Sequence, residues 1–70
     1  MIAEEDIIIT ERAWGKMQAV GLSRQHVLEA IERGSKFHQA GSITSYYGYY
    51  AVSYKPQGPQ LVVKSVFIKK

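Results

Sequence analysis

Few side chains in this chain could act on a substrate, and most of them are cationic or phenolic. Arg12 and Lys16 stand four positions apart, His26 and His38 are the two imidazoles, all five tyrosines lie between positions 46 and 54, and Lys64 follows in an apolar run. There is no cysteine, so thiolate nucleophiles, disulfides and thiolate metal sites are out of reach. The two histidines lack partners at zinc-like spacing, so neither a metal nor a cofactor is expected. Asp6, the only aspartate, sits in an acidic leader, where a Ser-His-Asp set would need it to reach far across the fold. There is no glycine-rich phosphate loop, and no paired carboxylates fall inside a plausible pocket. The chemistry that remains is metal-independent RNA cleavage, in which Lys, Arg, His and Tyr position a 2′-hydroxyl and stabilise charge on phosphorus. No spacing singles out a catalytic set, and the catalytic residues stay unassigned.

Charge is unevenly spread. Residues 1 to 11 hold Glu4, Glu5, Asp6 and Glu11 with no cation, whereas residues 34 to 70 hold Lys36, Lys55, Lys64, Lys69 and Lys70 with no acid. A strand region of one sign favours a polyanion such as RNA, or an acidic partner protein. Lysine on sheet edges also serves simply to block unwanted pairing. The leader has neither the basic start nor the apolar stretch of a signal peptide, and no segment is long enough to span a bilayer. A cytoplasmic protein without membrane contact is expected. Seventy residues make one domain, residues 1–70, with a marginal core, so self-association as a homodimer is expected to add stability.

These residues must be positioned by short elements. "DIIIT" reads as a strand from about Asp6 to Ile9, after which Thr10 caps a helix, with Ile9 and Trp14 as a hydrophobic staple. Ala13, Trp14, Met17 and Val20 form its expected buried stripe, and Gly21 its stop. Arg12 and Lys16 then lie along one margin of that stripe. Leu22 and Val27 staple a second helix around the cap Ser23, with Val27, Leu28, Ala30 and Ile31 inward and Gly34 at its end. "GLSRQHVLEAI" has the length and turn of a DNA-reading helix–turn–helix. It offers only Arg24, Gln25 and His26 near the second helix's start, and half of the chain that follows is strand, so that reading is set aside. "SKFHQ" is expected as a short strand, "KPQGPQ" as a turn, and "LVVKSVFI" as a final strand that is apolar on both faces and therefore interior. The expected architecture is α+β and two-layered: β-α-α followed by an antiparallel meander, both helices on one face of the sheet.

The segment "ITSYYGYYAVSY" admits two arrangements. As one strand, it puts Tyr46, Tyr50, Val52 and Tyr54 on one face and Tyr47 with Tyr49 on the other. As a hairpin tipped by Tyr47-Gly48, it pairs Tyr46 with Tyr49 beside Thr44, Ala51 and Ser53. Both place Tyr50, Val52 and Tyr54 under the helices and Tyr49 on the opposite surface. An outward aromatic pair could stack bases, stabilise the strands across the sheet, or form a dimer interface.

The run "IIITERAWGKMQAVGLSRQHVLEAIERG", the Tyr/Gly-rich strands and the closing "LVVKSVF" resemble a family of small prokaryotic domains related to BrnT-type, RelE-like ribonuclease toxins. The family pattern is a strand, T-x-H-A-x-x-R-M, a short gap, G-[IL]-S-x-x-x-V and a sheet ending in V-x-T-V-[YF]. Thr10, Ala13, Met17, Gly21, Leu22, Ser23, Val27, Val63, Val66 and Phe67 match it. Lys64 fills the variable position and Ser65 replaces the threonine. Where the family tends to carry histidine and arginine, this chain has Arg12 and Lys16. A guanidinium stays protonated and cannot serve as a general base, although it can bind phosphate.

The resemblance implies an RNA-interacting protein of toxin–antitoxin type, a weak or inactive metal-independent endoribonuclease, with an antitoxin as a further partner. Arg12 and Lys16 would contact phosphate, Tyr49 with Tyr46 or Tyr47 would stack a base, and Lys64 would add charge. The alternative expectation is a non-enzymatic module whose outer tyrosines form a homodimer or partner interface.

Overall fold

The computed structural model describes residues 4–68. A 3-10 turn at Glu4–Asp6 leads into β1 (Ile7–Ile9), α1 (Glu11–Val20) and α2 (Arg24–Arg33). β2 (Ser35–Gln39), β3 (Ser42–Tyr47), β4 (Tyr50–Gln57) and β5 (Gln60–Ile68) follow. The strands form one sheet in the order β1-β5-β4-β3-β2. The last four are an antiparallel meander, while β1 runs parallel to β5 at the far side, so the sheet is mixed. The fold is α+β, as expected, with both helices packed on one face.

Each helix starts and stops where its local chemistry dictates. The Thr10 hydroxyl accepts from the Ala13 amide at 3.4 Å and donates to the Val63 carbonyl at 2.9 Å, so the cap of α1 also fastens it to β5. At the other end Gly21 turns left-handed, φ 78°, and the Leu22 amide returns to the Met17 carbonyl at 2.8 Å. At α2 the Ser23 amide donates to His26 Nδ1 at 3.0 Å, a capping box with imidazole in the usual Glu position. Gly34 ends α2 in extended backbone rather than left-handed. Its missing side chain serves a close approach: a Cβ there would fall within 3.0 Å of Ser45 Oγ and of the Ala30 and Tyr46 carbonyl oxygens.

The buried stripe of α1 is narrower than expected. Ala13 and Met17 are fully buried and Val20 half-buried, but Trp14 stays 41% exposed. It stands a full residue step round the helix from Ala13, and a ten-residue helix over a small sheet covers only the i, i+4 line. The core joins Ile7, Ala13, Met17, Leu22, Val27, Ala30 and Ile31 to Tyr50, Val52, Tyr54, Val63 and Val66 from the sheet. Ser45 is the one buried polar side chain among the described residues, and its hydroxyl donates to the Ala30 carbonyl.

The tyrosine segment is a hairpin, tipped one residue later than the Tyr47-Gly48 expectation. Tyr47 pairs with Tyr50 and Tyr46 with Ala51, leaving Gly48 and Tyr49 as the loop. Gly48 then takes the first turn position with φ 61°, whereas a Tyr47-Gly48 tip would have forced a tyrosine into that conformation. "KPQGPQ" is mostly strand: Lys55–Gln57 continue β4, Gln60 opens β5, and only Gly58 and Pro59 turn. The strand "SKFHQ" forms as expected and occupies the sheet edge.

Candidate functional site: the helix-free face of the sheet

Alternation along the strands sorts every sheet residue onto one of two faces. Tyr47, Tyr50, Val52, Tyr54, Val63 and Val66 share the face under the helices. The opposite face carries Phe37 on β2, Thr44 and Tyr46 on β3, Ala51 and Ser53 on β4, Val62, Ser65 and Phe67 on β5 and Ile8 on β1. Phe37 is 60% exposed and Phe67 50%. The Phe37 and Tyr46 rings meet edge to face with centroids 5.7 Å apart. Ala51 lies between Tyr46 and Phe67 in the cross-strand register and is buried although no helix covers it. Two strand spacings separate Tyr46 from Phe67, about 10 Å. The result is an aromatic row across four strands, bordered by the hydroxyls of Thr44, Ser53 and Ser65. No residue of the five strands is an Asp or Glu.

The residues singled out from sequence are dispersed by the fold. Tyr46 belongs to this face. Tyr47 lies on the other side of the sheet, half-buried against the core, its ring edge-on to Tyr50 at 6.2 Å. Tyr49 was expected on the outer surface of a strand; it sits at the hairpin tip, 55% exposed, its ring 5.3 Å from Tyr50. Arg12 and Lys16 are exposed on α1, in the helical layer, so the sheet separates them from Tyr46. Lys64 is exposed at an irregularity in β5: Ser65 pairs with Ser53 and Val63 with Tyr54, which leaves Lys64 as the extra residue of a bulge.

Two members of the face went unnoticed in the sequence. Phe37 stands in a short polar strand, and Phe67 belongs to a closing run that is apolar on both faces, so neither ring stood out. Only the parity of β5 beyond its bulge shows Phe67 outward while Val66 points in.

The buried phenols contrast with this surface. Tyr50 is 3% exposed and its hydroxyl donates to the His26 carbonyl at 2.7 Å. Burial first, then the neighbouring Glu29, Tyr47 and Tyr49, push its pKa from 10.0 up to about 12. Burial raises that of Tyr54 too.

On the helical side, Ile9, Glu11, Trp14 and Arg24 line a shallow cleft of about 340 Å³. Among the described residues no three His, Asp or Glu side chains gather as a metal would require. No helix among them is long and apolar enough to cross a membrane. No family model, curated protein or solved structure matches the chain.

Proposed function

We propose that this protein binds single-stranded RNA across the helix-free face of its sheet. The observation that carries the reading is the row of Phe37, Tyr46 and Phe67 on a sheet without a single carboxylate. Bases unstacked from a single strand find flat apolar partners on such rings, each stack contributing about 1–3 kcal/mol whatever the base. Thr44, Ser53 and Ser65 supply hydroxyls beside the rings, and Lys55, on the same face by parity, supplies charge for phosphate. Lys64 at the bulge adds a second cation. The likeness to ribonuclease toxins favours RNA over DNA and a toxin–antitoxin setting. Arg12 and Lys16 contact a separate stretch of backbone, since they cannot reach a base held on Tyr46 from the other layer. No histidine or carboxylate stands among these contacts, and the activity proposed is binding.

A second reading draws on Ile8, Val62 and Phe67, which make one flank of the same face apolar enough for a partner protein. A heteronuclear NMR titration with short mixed-sequence RNA, at low and then moderate salt, separates the two. RNA binding gives shifts at Phe37, Tyr46, Ala51 and Phe67 that fade as salt rises, because association rests on counterion release. Phe67→Ala lowers affinity about tenfold, as expected for one lost stack. Absence of shifts at low salt overturns the RNA reading and leaves the face to a protein. Shifts confined to Arg12 and Lys16 overturn the assignment of the face.

A further inference from the structure

The two edges of the sheet differ. β1 ends it with three residues, too short to template another chain. β2 ends it with five, all exposed, in unbroken register with β3 and, among the described residues, paired on that side only. It has no proline and no bulge; of the usual guards of a free edge it keeps Lys36, whose ammonium donates back to the Gly34 carbonyl at 3.2 Å. Half of its backbone donors and acceptors therefore point at solvent.

We infer that two copies of this chain pair through β2, antiparallel about a two-fold axis at Phe37, forming one continuous ten-stranded sheet. An axis perpendicular to the sheet keeps like faces together, so some residue of β2 must oppose its own copy. Centring on Phe37 engages all five strand residues: Ser35 opposite Gln39, Lys36 opposite His38, Phe37 opposite Phe37. Centring on Lys36 or His38 engages fewer residues, and the former sets two ammonium groups against each other. Phe37 meets its copy on the helix-free face, where each ring already abuts Tyr46. The aromatic row then runs unbroken from one copy into the other. Such pairing also relieves the marginal core of a 70-residue domain.

The inference rests on the free edge and not on nucleic acid, so it is tested without RNA. Sedimentation equilibrium of the full chain over a concentration series reads the association. Cross-linking reads the register, because the chain has no cysteine of its own. Directly opposed residues of antiparallel strands have Cα atoms about 4.5–5.5 Å apart, within the range of a disulfide. Two copies of residue 39 would stand about 14 Å apart in this register, outside that range. Under mild oxidation the Phe37→Cys chain should form a covalent dimer at least about tenfold faster than the Gln39→Cys chain. His38→Glu, which sets a carboxylate opposite each Lys36, should tighten the dimer several-fold, and His38→Lys should loosen it.

A chain that stays monomeric at every concentration overturns the proposal, as does cross-linking through residue 39 as fast as through residue 37. A dimer that ignores both changes at His38 overturns the register. None of these outcomes touches RNA binding, which is read by the titration above and weakens with salt, whereas pairing between like-charged chains holds or tightens.

Discussion

The helix-covered face of the sheet and its open face are made by the same strands, residue by alternate residue, yet their chemistry is opposite. In β4, Tyr50, Val52 and Tyr54 go inward and are sealed, while Ala51, Ser53 and Lys55 go outward. Aromatic rings occur on both faces and behave differently. Tyr50 has its hydroxyl committed to the His26 carbonyl and its ring enclosed. Phe37 and Phe67 have no polar atom to commit and spend half or more of their surface on solvent. Burial with a satisfied hydroxyl belongs to stability; exposure of an apolar ring contributes far less to it. The same residue type therefore carries different information depending on the side of the strand it occupies.

If this division holds, the largest effect comes from the covered face. Met17→Ala removes a fully buried side chain and should cost about 2–5 kcal/mol in chemical denaturation, whereas Phe37→Ala on the open face should cost about 0.5–1.5 kcal/mol, the worth of its edge-to-face contact with Tyr46. Equal losses at the two positions would end the comparison.

Gly34→Ala comes next. Its new methyl meets Ser45, Ala30 and Tyr46 at once, two of the three contacts being backbone carbonyls that yield little, and a loss of about 1–3 kcal/mol follows. Thermal unfolding reads it directly. A neutral result would mean that α2 is not pressed against β3.

The phenol hydroxyls sharpen the contrast further. Tyr50→Phe should cost about 1 kcal/mol through the lost bond to the His26 carbonyl, against almost nothing for Tyr49→Phe at the exposed tip. Alkaline pH asks the same question another way. Because the folded pKa of Tyr50 is raised from 10.0 to about 12, its neutral form contributes fully below pH 10. That contribution drains away as pH climbs through about 12, so stability falls as pH rises across this window. Tyr54 adds a slope of the same sign. Denaturation curves between pH 9 and 12 should flatten in Tyr50→Phe, and an unchanged slope would remove Tyr50 as its source.

The smallest effect lies in the turn from β2 to β3. Ala40 holds φ 37°, a left-handed conformation that a Cβ disfavours, and Ala40→Gly should gain about 0.5–1 kcal/mol. A loss instead of a gain would show that unfolded-chain entropy outweighs the relieved backbone there.

Much of the frame was legible because it rests on neighbours in the chain. The caps at Thr10 and Ser23, the stop at Gly21 and the switch from helical to strand pattern after Gly34 all depend on interactions within a few residues. Tyr50, Val52 and Tyr54 could be assigned to the core because both readings of the tyrosine segment agreed on their parity. Tyr49 was expected on the outer face by both readings, and the structure corrects this, because moving the hairpin tip by one residue takes it from a strand into the turn. Trp14 was misread as core since a large apolar residue beside a buried stripe looks the same in sequence whether or not the sheet extends far enough to cover it.

What the sequence determined by itself is local: which segments coil, which extend, where each ends, and that the strand half carries no acid. These follow from backbone propensity, capping and composition, which need no distant contact. Only the tertiary structure decided that β1 lies parallel beside β5, that Phe67 lies outward beyond the bulge at Lys64, and that Arg12 and Lys16 are divided from Tyr46 by the sheet. The physical reason is that one face of a sheet is defined by pairings between residues far apart in sequence. A single irregularity such as the one at Lys64 resets which side chains share that face.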